Sequence, residues 1–296
     1  YQYPLISKKM EKKQVMLLML VLASTFLLVY TPHLSNLYPI HIDEWHHISQ
    51  AIKLKQGDFA FGLSGLEIGF RIFLILFMFF TDIILFYKYF PALYMVFTSL
   101  ILFFITKKLT SKVFQENESF FISLFAIVFF ASIKSNVNLM GLWFFTPLTF
   151  SIPFIYLYIH FLTQGIEKNN NKMILASFII MILVLITHAP SLLFSIPILL
   201  IYSIINYKKI ITNFKILSIF IFIPIIGILF YIYITKTILN LFNILSLIQF
   251  KKGWGVLELN NSLLEVYSLI GYILAIIGIL AIISSKEHLK KYRIYI

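Results

Sequence analysis

Two carboxylates and three imidazoles fall within one short stretch, His41, Ile42, Asp43, Glu44, Trp45, His46 and His47. Side chains of these types move protons or hold a cation. If a short helix starts at Asp43, His46 and His47 follow on its face, so that a carboxylate and an imidazole can share one proton or one metal ion. Glu44 then points elsewhere and is free for a second role. A structural use of the same residues is also open, with Asp43 capping a helix and Trp45 and the histidines anchoring at the headgroup level. A second group, Lys134, Ser135, Asn136, Val137 and Asn138, holds donors without a carboxylate, and an ammonium with two amides suits a phosphate or sugar hydroxyls. In an ordinary loop that lysine would simply snorkel. The third group is Thr187, His188, Ala189, Pro190 and Ser191, where His188 can meet a phosphate or an acceptor while Pro190 suits the first turn of the next helix. Glu67 and Arg71, one helical turn apart, form a local ion pair or leave Arg71 to turn toward a phosphate. Lys251, Lys252 and Trp254 are suited to lipid headgroups.

The elements that must position these groups are apolar. Hydrophobic residues make up 60% of the 296 residues and charged residues 12%, about half the usual share in a soluble domain. The mean hydropathy is +0.93. Apolar runs cover 14–32, 68–86, 89–106, 119–133, 143–163, 173–187, 191–206, 216–235 and 263–283, with short Lys-, Asn- and Ser-rich clusters between them. Runs of this length are the signature of spanning helices, and the short alternating segments of a membrane barrel are absent. The first run is too long for a signal-peptide core and is expected to stay as a helix. The absence of cysteine excludes disulfides, thiolate metal sites and a cysteine nucleophile. There is no internal repeat and no inverted symmetry of the transporter kind.

The net charge of +12 reads as topology rather than as a nucleic-acid surface, because the lysines sit in the short connections. Clusters at 8–13, 107–112, 168–172, 208–215 and 286–291 should all be cytoplasmic, and this requires one early segment not to cross. That segment is 68–86, flanked by Glu67 and carrying Arg71 and Asp82, since a charge at the bilayer centre costs about 2.5–3.5 kcal/mol. The expected fold is an all-α polytopic transmembrane bundle of about eight spanning helices, with an interfacial or re-entrant helix in the first outer loop. The expected organisation is a cytoplasmic segment at 1–13, a membrane domain at 14–283 with its first outer loop at 33–88, and a basic cytoplasmic tail at 284–296. Met10 has the surroundings of a natural start, which would make 1–9 extraneous, and the basic end is what the front part of a longer protein would show.

This layout resembles the GT-C glycosyltransferases, polytopic enzymes that take sugar from a polyprenyl-phosphate carrier and whose relatives include the oligosaccharyltransferases and mannosyltransferases. The resemblance covers roughly residues 10–235. It rests on Ile42, Asp43, Glu44, Trp45, His46 and His47 as the acidic motif of the first outer loop, and on Pro91, Ala92 and Leu93 as a proline-introduced helix. Ala131, Ser132, Ile133, Lys134, Ser135 and Asn136 stand as the second outer motif. Oligosaccharyltransferases place acids there, where this chain has Asn136 and Asn138, so the resemblance points to a monosaccharide transferase.

The expected function is transfer of a sugar from a polyprenyl-phosphate donor to an acceptor hydroxyl on a glycan, lipid or protein, at the extracytoplasmic face. Asp43 is the expected general base, with Glu44 as the alternative or supporting acid. Lys134, Asn136, Asn138, His188 and Arg71 are expected to bind the donor and its phosphate. His46 and His47 either orient Asp43 or join it in holding a divalent metal ion, Mg or Mn, and spacing does not choose between these. The rival class is a lipid-linked-sugar binding or transport protein, flippase-like, which would need polar groups at mid-membrane. The expected setting is the plasma membrane of a prokaryote, with membrane lipid as partner and no nucleic acid.

Overall fold

The computed structural model describes residues 10–36, 38–58, 67–112, 114–131, 144–220 and a few positions from 222 to 277. Every regular element among the described residues is helical. We number them α1 (Lys12–Leu34), α2 (Ile42–Lys55), α3 (Ile68–Phe77), α4 (Ile83–Thr110), α5 (Glu116–Ala131), α6 (Pro147–Glu167), α7 (Asn171–His188), α8 (Ser195–Ile205), α9 (Tyr207–Thr212) and α10 (Phe214–Leu217). A 3-10 turn, Ala189–Phe194, links α7 to α8.

Three of these helical stretches are long and apolar enough to cross a membrane, Lys12–Leu34, Ile83–Thr110 and Asn171–Leu193. At 1.5 Å per residue the 28 residues of α4 span about 42 Å, more than a hydrocarbon core of about 30 Å. The bundle expected from the sequence had about eight crossings; the runs at 216–235 and 263–283 lie largely outside the described residues.

The segment 68–86 is not one interfacial helix. It breaks at Phe79, Phe80 and Thr81, and α4 starts afresh because Asp82 caps it, accepting from the amides of Ile84 (2.7 Å) and Leu85 (3.2 Å). What remains, α3, has only 10 residues, too few to span. Pro91 likewise does not introduce a helix; it is buried within α4, whose capped start lies two turns earlier.

Helices α1, α4 and α5 pack on one another through Leu18, Leu22, Phe103, Phe120, Leu124 and Ile127, and higher up through Val29, Ala92, Met95 and Ala131, where Ile152 of α6 joins them. The buried positions of α1, Leu18, Leu22, Thr25, Val29 and His33, recur every three to four residues, the stripe of a helix that shows one face to its neighbours. Helices α6 and α7 form a hairpin. Its turn uses Asn169 in the left-handed region (φ 50) and Asn170 as the cap of α7, and Gly165 lets Ile174 come within van der Waals distance of the α6 backbone.

The two ends of this assembly differ in chemistry. At one end Lys107 pairs with Glu116 (3.7 Å) and Lys112 with Glu167 (3.4 Å), gathering the ends of α4 and α6 and the start of α5. At the other, α2 and α3 pack together and α3 leans on the last turn of α7. Gly69 makes that approach possible. A Cβ there would stand 2.9 Å from the Ile186 carbonyl oxygen and 3.0 Å from Thr187 Cγ2. Gly69→Ala is therefore expected to lose about 1–3 kcal/mol, read as a lower melting temperature in detergent. An unchanged melting temperature would show that α3 can shift away freely.

Candidate active site at the α2–α3 end

Helix α2 is capped by His41, not by Asp43. Its Nδ1 accepts the Asp43 amide at 3.1 Å, and Glu44 completes the capping box by accepting the His41 amide. Because Nδ1 is an acceptor, it carries no proton, so the 3.5 Å approach of Asp43 Oδ2 to the same nitrogen is not an ion pair. The helix is amphipathic, with Glu44, His47, Ile48 and Ala51 facing inward. Asp43 and His46 face outward, and the Asp43 side chain is 58% exposed. The shared face expected for Asp43, His46 and His47 is thus divided between outside and inside.

Glu44 is fully buried and accepts three backbone amides, those of Ile40 (3.0 Å), His41 (3.1 Å) and Phe145 (2.7 Å). It ties the start of α2 to the approach of α6. The Phe145 ring is held at the same time by a cluster of Phe70, Phe73, Phe86, Tyr87, Phe90, Tyr94 and Phe150 contributed by α3, α4 and α6. One residue therefore joins four elements, through its amide to α2 and through its ring to the other three. Burial pushes the Glu44 carboxyl up to about 7, against the pull of its three amide donors.

His47 faces Glu67 rather than Asp43, with Nδ1 3.8 Å from Oε2. The other oxygen of Glu67 lies 4.0 Å from Nε2 of His188, at the end of α7. Both separations exceed a hydrogen bond. Arg71, one turn along α3, is 1% exposed and acts on both Glu67 and His47. Burial holds the Arg71 guanidinium below its usual range while Glu67 opposes this, and burial raises the Glu67 carboxyl while Arg71 opposes. Burial, with the nearby positive groups, pushes His47 down to about 3. His188 is further fixed by Ser191, whose hydroxyl meets its Nδ1.

Glu67 was visible in the sequence only as the partner of Arg71; its place between two histidines depends on contacts far apart in the chain. Lys134, Asn136 and Asn138 lie outside the described residues, as do Lys251, Lys252 and Trp254. Asp43, His46 and His47 do not fit a metal ion. His47 is turned to Glu67, and among the described residues no three His, Asp or Glu side chains are grouped to hold one. No protein-family model, curated protein or solved structure matches this chain.

Two buried groups give this end a pH signature. Glu44 has a folded value of about 7 against 4.5 when free, so its stabilising contribution is complete below pH 4.5 and is lost as pH rises through 7. His47 has about 3 against 6.5, so its contribution is complete above pH 6.5 and is lost as pH falls toward 3. Between 4.5 and 6.5 the two slopes, roughly 1.4 kcal/mol per pH unit each, oppose one another. Glu44→Gln removes one of them. Its melting temperature is expected to fall more steeply than that of the unsubstituted chain between pH 6.5 and 4.5. Parallel curves would show that Glu44 does not titrate in the fold.

Proposed function

We propose that this chain is a multi-pass membrane glycosyltransferase of GT-C-like architecture that moves a sugar from a polyprenyl-phosphate carrier to an acceptor hydroxyl at the extracytoplasmic face. The observation that carries the reading is the exposed carboxylate of Asp43 on the first turn of α2, beside the buried Arg71 and His47 and the half-buried Glu67 and His188. The lysine-rich ends of α4 and α6 lie at the opposite end, which under the positive-inside rule directs the Asp43 end away from the cytoplasm.

In the reaction Asp43 takes the proton of the acceptor hydroxyl, whose oxygen bonds to the anomeric carbon of the sugar. The bond from that carbon to the phosphate oxygen breaks, and the polyprenyl phosphate departs with the electron pair. Charge growing on the phosphate is met by His188 at the rim, by Lys134 with Asn136 and Asn138, and at longer range by the fixed positive charge of Arg71. Glu44 does not touch substrate in this scheme; it positions α2 against Phe145. No step passes through a metal ion.

Donor recognition can be tested apart from chemistry. A short-chain polyprenyl phosphate titrated onto the purified chain is expected to bind saturably, and Lys134→Ala with His188→Gln to weaken it at least about tenfold, the size of one charge-assisted hydrogen bond. Absence of saturable binding, or equal binding by the double variant, would remove the phosphate-recognition part of the reading.

A further inference from the structure

The end of the molecule opposite Asp43 holds a second polar group that the transfer reaction does not use. Lys108, in the last turn of α4, places Nζ 3.3 Å from Nε2 of His160 on α6. An ammonium can only donate, so Nε2 accepts and the imidazole is neutral. The buried His160 therefore fixes the direction of Lys108 without answering its charge. Lys112 and Lys168 stand close enough for all three lysines to act on His160. The carboxylate at hand, Glu167, is engaged by Lys112 (3.4 Å) and by the Gln164 amide (3.2 Å). Among the described residues no acid lies within ion-pair distance of Lys108 or Lys168. Two ammonium groups, from the ends of α4 and α6, thus act on each other with no carboxylate among the described residues within ion-pair distance of either, an arrangement that an anion between them would relieve.

The surroundings say which anion. Lys108 closes an exposed apolar stripe along α4, Leu93 (54% exposed), Phe97 (44%) and Phe104 (57%), and α4 is one of the helices long and apolar enough to cross a membrane. Phe104 is one turn from Lys108, on the same face. A phosphate held by Lys108 would leave its acyl chains lying along that stripe, which a free phosphate would not use. We propose that Lys108 and Lys168, with Lys108 aimed by His160, bind the phosphodiester headgroup of an anionic membrane lipid at the α4–α6 edge. Basic pockets between membrane helices are suited to such headgroups.

The test uses the full chain in an uncharged detergent, titrated with dioleoyl phosphatidylglycerol and, separately, dioleoyl phosphatidylcholine, with retained lipid read by native mass spectrometry. The charged lipid is expected to be retained selectively. Lys108→Ala with Lys168→Ala should weaken it about thirtyfold, the size expected of two lysines at a headgroup. Lys208→Ala with Lys209→Ala, on exposed lysines outside the group, should leave it within about threefold. Lys168→Glu, at an exposed position, is the second variant if Lys108→Ala does not fold, and it should also lose selectivity. Equal losses in the two lysine pairs would mean diffuse surface charge and overturn the proposal. Displacement of the lipid by millimolar inorganic phosphate would assign the group to a free anion and overturn the lipid assignment.

Discussion

Asp43→Asn is expected to reduce sugar transfer by about 10²- to 10⁴-fold, the contribution of a positioned general base, while leaving the chain folded. Both halves of that expectation follow from the same geometry. The Asp43 side chain is 58% exposed, and its approach to His41 Nδ1, at 3.5 Å, is of a length that the isosteric amide keeps. Its amide N–H, which binds His41, is untouched by the substitution. What the carboxylate gives the fold is its charge near the start of α2, at most about 1 kcal/mol. A folded variant with full transfer would remove Asp43 as the base and turn attention to Glu67, whose two oxygens face the imidazoles of His47 and His188.

Glu44→Ala should do the reverse, with a loss of folding stability of at least about 3 kcal/mol and a loss of transfer only as a consequence. Three backbone amides lose their acceptor at once, and a buried donor left without one costs about 1–3 kcal/mol. The fraying is expected to begin where Phe145 is released from α2, so that protection of the 144–146 amides in hydrogen exchange falls before that of α4. Glu44→Gln keeps one carbonyl oxygen and should fall between the two. A Glu44→Ala chain as stable as the unsubstituted one would mean that the approach to α6 is held by the aromatic cluster around Phe145 alone.

Much of the architecture was legible in the chain itself, because helix length and hydropathy are local. The runs at 14–32, 119–133 and 173–187 correspond to α1, α5 and α7 to within a few residues. The boundary between α3 and α4 was not legible in this way. Phe79 and Phe80 carry the apolar signal straight across the break, and only the capping oxygen of Asp82, two and three residues before the amides that it accepts from, marks a new start. The same lesson applies to α2. A histidine is an uncommon cap, so Asp43 looked like the residue that begins the helix; which side of α2 faces inward is set instead by its packing on α3 and by the bond from Phe145 to Glu44, contacts far apart in the chain. The density of polar groups at 41–47 was plain, whereas the pairing of His47 and His188 with Glu67 is set by α3 crossing α7 at Gly69. A glycine inside an apolar helix is the one local sign of such a crossing.

The central claim is that the Asp43 end is a site of glycosyl transfer, and the most direct measurement is transfer of radiolabelled sugar in sealed membrane vesicles from a panel of polyprenyl-phosphate sugars. The account predicts labelled product with at least one donor, formed on the extracytoplasmic side and lost in Asp43→Asn at matched expression. No product with any donor from a folded chain would contradict it, and would leave the site as one that binds or carries a lipid-linked sugar without making a bond.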